Sequence, residues 1–296
     1  MRNFDTLRAL IRGDIKEKEM MSKHTYYGIG GPADAYITPK DKEDLSKILR
    51  FANKNSIPAY FIGSGSNLLI SDDGINGLVL SPGKAFRHLQ FNESNLYAES
   101  GVMLGRIVRE SIKRNLSGLE SLIGVPGTLG GALVMNAGAF GGEISNYLKN
   151  VKIMNMKGKI KSYSPNDLNF AYRFSSFKKN EFIISAEFTL KKEDPRLIHE
   201  KRDSANKGRK SNQPLKFRSA GSVFKNPKKF AAGYLIDKVG LKGTKIGDAE
   251  ISKHHANFFI NNGKASSSDI LNLIKLAKEK VKKEFNISLE LEIKLI

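Results

Sequence analysis

Two glycine-rich stretches and three polar side chains carry the chemistry this sequence offers. Phe61-Ile-Gly-Ser-Gly-Ser-Asn-Leu-Leu-Ile70 sets two glycines and two serines between apolar flanks. Such a turn suits either a structural bend or a cradle whose backbone N–H groups face a pyrophosphate. It lacks the Gly-Lys-Ser of a P-loop and the spacing of a dinucleotide fingerprint. Ile123-Gly-Val-Pro-Gly-Thr-Leu-Gly-Gly-Ala132 and Asn136-Ala-Gly-Ala-Phe-Gly-Gly142 form the second glycine-rich region. Glycine at this density costs backbone entropy and is tolerated where the chain must approach something closely. Tight helix packing is one reading. Because no repetitive fold explains the run, approach to a cofactor is the better one.

The three side chains are Arg173, Ser222 and Glu292. Arg173 stands between aromatics in Tyr172-Arg-Phe-Ser-Ser-Phe-Lys178, a pattern that also arises when a surface arginine packs on a ring. Ser222, in Ala220-Gly-Ser-Val-Phe-Lys-Asn-Pro227, follows a glycine, but no Gly-x-Ser-x-Gly elbow surrounds it. That argues against a hydrolase nucleophile. Alternation in Leu289-Glu-Leu-Glu-Ile-Lys-Leu-Ile296 puts Leu289, Leu291, Ile293 and Leu295 on one face and Glu290, Glu292 and Lys294 on the other. By that pattern alone Glu292 belongs to a solvated outer face.

Several elements must position these groups. Leu45, Ile48, Leu49 and Ala52 recur at helical spacing between Asp41 and Asn55, behind an acidic first turn. Strands are expected at Ala59–Ile62 and Gly77–Leu80, making a small α/β unit over 1–85. From about residue 86 the pattern changes to strands at Leu96–Ser100, Lys149–Met154, Lys159–Ser164 and Phe182–Leu190, with a helix at Leu104–Arg114. Residues 86–193 therefore read as an α+β domain with an antiparallel sheet. A polar helix over Asp194–Lys210 leads into a third segment, 194–296. That segment closes with a helix, Ser267–Phe285, capped by Ser266, Ser267 or Ser268, and a strand, Ser288–Ile296.

Composition removes several classes. The 296 residues contain no cysteine, and of five histidines only His254 and His255 adjoin, so no metal site is expected. The N-terminus lacks the apolar stretch of a secretory signal. No apolar run approaches the roughly 20 residues a membrane-spanning helix needs. The formal charge of +19, from 49 basic and 30 acidic residues, is spread along the chain. No nucleic-acid-binding signature accompanies it, so a lysine-rich solvated surface is the simpler account.

Taken in order, the motifs resemble the UDP-N-acetylenolpyruvoylglucosamine reductase family, from about His24 to Ile296. They are Gly30-Gly-Pro-Ala-Asp34, Gly63-Ser-Gly-Ser-Asn67, Gly124-Val-Pro-Gly-Thr-Leu-Gly-Gly131, Asn136-Ala-Gly138 and Tyr172-Arg173. Gly221-Ser-Val-Phe-Lys-Asn-Pro227, Ala232-Gly-Tyr-Leu-Ile236, Ser252-Lys-His-His-Ala-Asn-Phe258 and Leu289-Glu-Leu-Glu-Ile293 complete the set. The resemblance implies an α+β chain. Segments 1–85 and 86–193 would form a two-part FAD-binding fold of the vanillyl-alcohol-oxidase type, and 194–296 a substrate domain. It implies a cytoplasmic monomer that binds FAD without a covalent link, since cysteine is absent and no histidine lies in an attachment motif. NADPH would be the reductant and a UDP-sugar the substrate, with neither nucleic acid nor membrane as partner. The reaction would reduce the enolpyruvyl group of UDP-N-acetylglucosamine enolpyruvate to UDP-N-acetylmuramate for peptidoglycan synthesis.

By the same resemblance Gly63, Ser64, Gly65, Ser66 and Asn67 hold the FAD pyrophosphate. Gly124, Pro126, Gly127, Thr128, Gly130 and Gly131, with Asn136 and Gly138, approach the cofactor. Arg173 maps to the catalytic arginine, Ser222 to the proton donor and Glu292 to the acid. Arg209, Lys225, Asn226 and His255 are the expected substrate contacts. The short route from Arg173 to Ser222 resembles the subclass without a tyrosine-bearing substrate loop. Two positions depart from the family pattern: Asn212 and Gly28 stand where relatives often carry basic residues. Two other readings remain at this level. One is a flavin oxidase or dehydrogenase of the same fold; the other is a basic binding module without catalysis.

Overall fold

The structure, a computed structural model, describes residues 4–83 and 85–296. The chain forms two compact units. The first takes residues up to Glu19, Asp34–Ser64 and Asn76–Lys207; the second takes Met20–Ala33, Gly65–Ile75 and Gly208–Ile296.

In the first unit a four-stranded sheet runs in the order Asp14–Met20, Pro32–Thr38, Ile75–Leu80, Ala59–Phe61. The last two strands pair in parallel. A parallel pair needs a connection of about a dozen residues, and residues 62–74, which include the Gly63–Asn67 turn, provide it. The helix Lys42–Lys54 starts where the Asp41 carboxylate accepts the Asp44 N–H at 3.0 Å. It buries Leu45, Ile48, Leu49 and Ala52 against Ala35, Ile37, Leu78 and Leu80.

A second sheet of this unit is antiparallel, in the order Ile160–Tyr163, Leu148–Asn155, Glu181–Thr189, Asn95–Glu99, Leu89–Asn92. Its central strand is buried without a break from Glu181 to Ala186. The reason is that it serves two cores. Phe182 and Ile184 join the cluster of the Lys42–Lys54 helix. Ile183, Ala186 and Phe188 join a second cluster with Ile107, Val108 and Leu129. The helix Leu104–Ile112 covers that second core.

The second unit has its own core, in which Phe224, Leu235, Ile251 and Phe259 meet the apolar face of the helix Ser267–Phe285. That helix opens on a reciprocal cap. Ser266 Oγ accepts the Asp269 N–H at 3.0 Å, and Asp269 Oδ2 accepts the Ser266 N–H at 2.9 Å. Lys245–Ile246, Ala249–Ile251 and Phe259–Asn261 form an antiparallel three-stranded sheet beside it.

The expected strand over Ser288–Ile296 is much shorter: only Lys294–Leu295 is strand, parallel to Leu68–Leu69. The segment changes partners along its length. Lys225 N donates to Glu290 O and Glu292 N to Val223 O, while Lys294 N donates to Asn67 O and Ile296 N to Leu69 O. The simple alternation fails accordingly, with Leu295 47% exposed and Glu292 half-buried. Among the described residues no helix is long and apolar enough to cross a membrane.

Candidate functional site

The glycine-rich turns of the first unit converge on a set of buried hydroxyls. Thr128, after Gly127, precedes the helix Leu129–Val134. A β-carbon on Gly63 would overlap Thr128 Oγ1, so glycine is what lets these two turns meet. The Gly130 N–H donates to Ser100 O at 2.9 Å, and a β-carbon there would lie 3.2 Å from Ser100 Cβ. Gly130 thus serves close packing, whereas Gly131 is exposed, as are Gly124 and Pro126. Ser64 Oγ, Ser100 Oγ and Thr128 Oγ1 are all buried, with no hydrogen-bond partner among the described residues. An unsatisfied buried hydroxyl costs about 1–3 kcal/mol. Three such groups beside adjoining glycine turns suit a polar ligand rich in phosphate and hydroxyl oxygens. The chemistry of these groups fits FAD.

Arg173 occupies the tip of a two-residue hairpin. Phe170–Ala171 pairs with Phe174–Ser175, and Arg173 takes a left-handed φ of 56°. Ser175 Oγ donates to Val134 O at 2.7 Å, and Asn136 Nδ2 to Ala171 O at 3.1 Å, so both arms are tied to the glycine-rich segment. The Arg173 guanidinium lies 4.9 Å from the Tyr172 ring centroid, which is the ring packing that the sequence left open. A β-carbon on Gly138 would lie 3.2 Å from Arg173 Nη1.

In the second unit Ser222 and Glu292 come together through the backbone. Ser222 bridges Phe258, Phe224 bridges Leu291, and Glu292 N donates to Val223 O at 2.8 Å. Asn67 Nδ2 donates to Glu292 O at 3.1 Å and fixes the same segment from the other side. Both Ser222 and Glu292 are half-buried. Asn257 is buried and acts as a surrogate strand: its Oδ1 accepts the Phe224 N–H at 2.9 Å and its Nδ2 donates to Phe224 O at 2.8 Å. Gly65 takes a φ of +69° and accepts the Tyr26 N–H at 3.1 Å; a β-carbon there would overlap His24 O.

The expected substrate contacts are more dispersed. Lys225 Nζ stands 3.5 Å from Glu290 Oε2, and the exposed Asn226 accepts the Ala232 N–H at 3.0 Å. His255 packs edge-on to Phe258 at 4.9 Å, and its Nδ1 accepts the Asn257 N–H at 3.2 Å. Burial lowers its pKa, which favours neutral imidazole. Arg209 Nη1 donates to Gln213 Oε1 at 3.2 Å near the end of the helix Pro195–Asn212. At Gly28, with φ +67°, a β-carbon would overlap Arg218 Nη1. A guanidinium from position 218 therefore fills the space into which a side chain at 28 would grow.

Motif reading missed Ser100, Glu143 and the structural role of Asn257. Each is a common polar residue marked only by its contacts: Ser100 O accepts the Gly130 N–H, Glu143 meets Asn136, and Asn257 pairs with Phe224. Only Asn257 lay inside a quoted motif.

Two family models match the chain. One, described as FAD binding domain, covers residues 33–164, and one, described as UDP-N-acetylenolpyruvoylglucosamine reductase, C-terminal domain, covers 213–296. The chain is 41% identical over 291 residues to the UDP-N-acetylenolpyruvoylglucosamine reductase of Clostridioides difficile (strain 630), covering 98% of this chain and 96% of that one. It is 40% identical over 288 residues to the same-named protein of Clostridium novyi (strain NT), covering 97% and 94%. A crystal structure of UDP-N-acetylenolpyruvylglucosamine reductase from Thermus caldophilus superposes with a TM-score of 0.82. It is 34% identical, covering 96% of this chain and 99% of that one.

Proposed function

The chain belongs to the UDP-N-acetylenolpyruvoylglucosamine reductase family, and from that premise we propose how its residues reduce the enolpyruvyl group of UDP-N-acetylglucosamine enolpyruvate to UDP-N-acetylmuramate. The reaction uses NADPH and serves peptidoglycan precursor synthesis. The observation that carries the reading is the backbone pairing that sets Glu292 beside the segment of Ser222, with Glu292 N donating to Val223 O at 2.8 Å.

When bound, FAD supplies the relay that passes a hydride from NADPH to the β-carbon of the enolpyruvyl group. Addition there pushes negative charge onto a carboxylate that is already an anion. Arg173 presents a permanently charged planar fork to those oxygens, stabilising the enediolate as it develops. Glu292 contributes as a neutral hydrogen-bond donor, since an ionised carboxylate would repel the growing charge. Ser222 then donates the proton that the α-carbon requires.

The cofactor contacts are Gly63–Asn67, Gly124, Pro126, Gly127, Thr128, Gly130, Gly131, Asn136 and Gly138. Arg209, Lys225, Asn226 and His255 face the UDP-sugar. In this division of labour 1–85 and 86–193 hold FAD and 194–296 binds substrate. The enzyme works in the cytoplasm as a monomer, and its charge of +19 suits phosphate-bearing small molecules without requiring nucleic acid.

Arg173→Lys tests the electrostatic role, because it keeps the charge and loses the planar fork. Stopped-flow kinetics should show flavin reduction by NADPH near wild type and flavin reoxidation by substrate slowed on the order of 10²-fold. Near-normal reoxidation would remove Arg173 from the role given it.

A further inference from the structure

Asn136 is wholly buried, at 0% exposure, and follows the helix Leu129–Val134 with a left-handed φ of 42°. Two acceptors flank its amide. Glu143 Oε2 lies 2.7 Å from Nδ2, and the Ala171 carbonyl oxygen 3.1 Å from it. A carboxylate and a carbonyl have no proton to give, so both must be met by the NH2 side of the amide. The network, not convention, sets which way this amide points. Oδ1 therefore faces the opposite direction, buried and without a hydrogen-bond partner among the described residues. A buried acceptor in such a position calls for a donor.

Glu143 reaches the amide because of its strand register. Gly142–Glu143 pairs with Gly138–Ala139, with Glu143 opposite Gly138. A β-carbon on Gly138 would lie 3.0 Å from Glu143 Cγ and 3.2 Å from Arg173 Nη1. The missing side chain at Gly138 leaves room for both groups. Turning the Asn136 amide over would set Oδ1 against the carboxylate and the carbonyl, so the carboxylate resists that rotamer.

We propose that Glu143 is a positioning residue, holding the Asn136 amide so that Oδ1 accepts a hydrogen bond from an N–H group of bound FAD. The inference rests on the FAD reading above. Oxidised FAD has N–H donors in two places, N3 of the isoalloxazine and the exocyclic amine of adenine. Either suits a neutral amide oxygen; the phosphates and ring carbonyls offer no donor, and a contact to a ribityl or ribose hydroxyl instead would leave the binding of both N–H-deleted analogues equal to that of FAD. Asn136 makes the contact, and Glu143 acts only through it.

The test compares the full-length wild type, Glu143→Gln, Asn136→Ala and the double variant, with far-UV circular dichroism confirming the fold. Each is stripped of flavin and titrated with FAD, 3-methyl-FAD (no ring N–H) and the hypoxanthine analogue (no adenine amine). The wild type should bind one analogue about five- to tenfold more weakly than FAD, and that analogue identifies the donor. Glu143→Gln should shrink the discrimination, because a glutamine amide tolerates either Asn136 rotamer. Asn136→Ala should abolish it, and the double variant should bind like Asn136→Ala alone. Equal binding of all three flavins by the wild type overturns the proposal, as does undiminished discrimination in Glu143→Gln. Further weakening when Glu143→Gln is added to Asn136→Ala also overturns it, since Glu143 would then act independently. A correctly folded wild type that binds no FAD overturns the cofactor reading and this inference together.

Discussion

Replacing Ser222 by alanine separates proton donation from binding, because alanine removes the hydroxyl and little else. Flavin reduction by NADPH should stay near normal, and turnover should fall by about 10²–10⁴-fold, the usual contribution of a general acid. The Michaelis constant should change little, since the lost interaction belongs to the transition state. Ser222→Cys should restore part of the rate, as a thiol is the stronger acid. Steady-state kinetics of the two variants checks this; nearly full turnover in the alanine variant would make Ser222 a mere turn residue. Single letters reveal little of this arrangement. Strand alternation placed Glu292 on a solvated face, whereas its segment is held between Val223 and Asn67 and its side chain is half-buried. Arg173 looked like a ring-packed surface arginine, and it does pack on Tyr172. Its catalytic assignment comes from the ordered motifs, not from its neighbours.

Helices with a cap and a period were the most legible elements. Ser267–Phe285 forms over its expected span with Ser266 as its cap, and Lys42–Lys54 begins directly after Asp41. Local signals suffice there because each cap and each apolar repeat lies within a few residues. The Asp14–Met20 strand was not legible. Its sequence is mostly charged, and it lies at a sheet edge with largely exposed residues. The C-terminal strand was overdrawn because its first half pairs with Val223 and Lys225 and its second half with Asn67 and Leu69, far earlier in the chain, and a local pattern has no access to that change of partner. Turn geometry supplies its own test. A β-carbon on Gly63 would overlap Thr128 Oγ1, so Gly63→Ala should displace that hydroxyl. Fluorescence titration should show FAD affinity lowered about tenfold or more, a cost of over 1 kcal/mol, while circular dichroism stays unchanged. Unaltered affinity would separate the Gly63 turn from the cofactor site.

At the scale of the molecule, the chain interleaves to build its two units. Residues 20–33 and 65–75 fold with the C-terminal third. Contacts such as Asp72 N to Ser267 Oγ, 3.1 Å, fasten them there. Such interleaving has no local signature, so linear segments were the natural division on sequence alone. The ordered motifs nevertheless conveyed the family, because their specificity lies in the set and its order. This chain couples NADPH oxidation to reduction of an enolpyruvyl UDP-sugar through a bound flavin. The most direct measurement is anaerobic: bleach the flavin with one equivalent of NADPH, add UDP-N-acetylglucosamine enolpyruvate, and follow absorbance near 450 nm while assaying for UDP-N-acetylmuramate. The flavin colour should return with one equivalent of the muramate product. Flavin that stays bleached in the presence of the substrate, or recolours without forming that product, would contradict it.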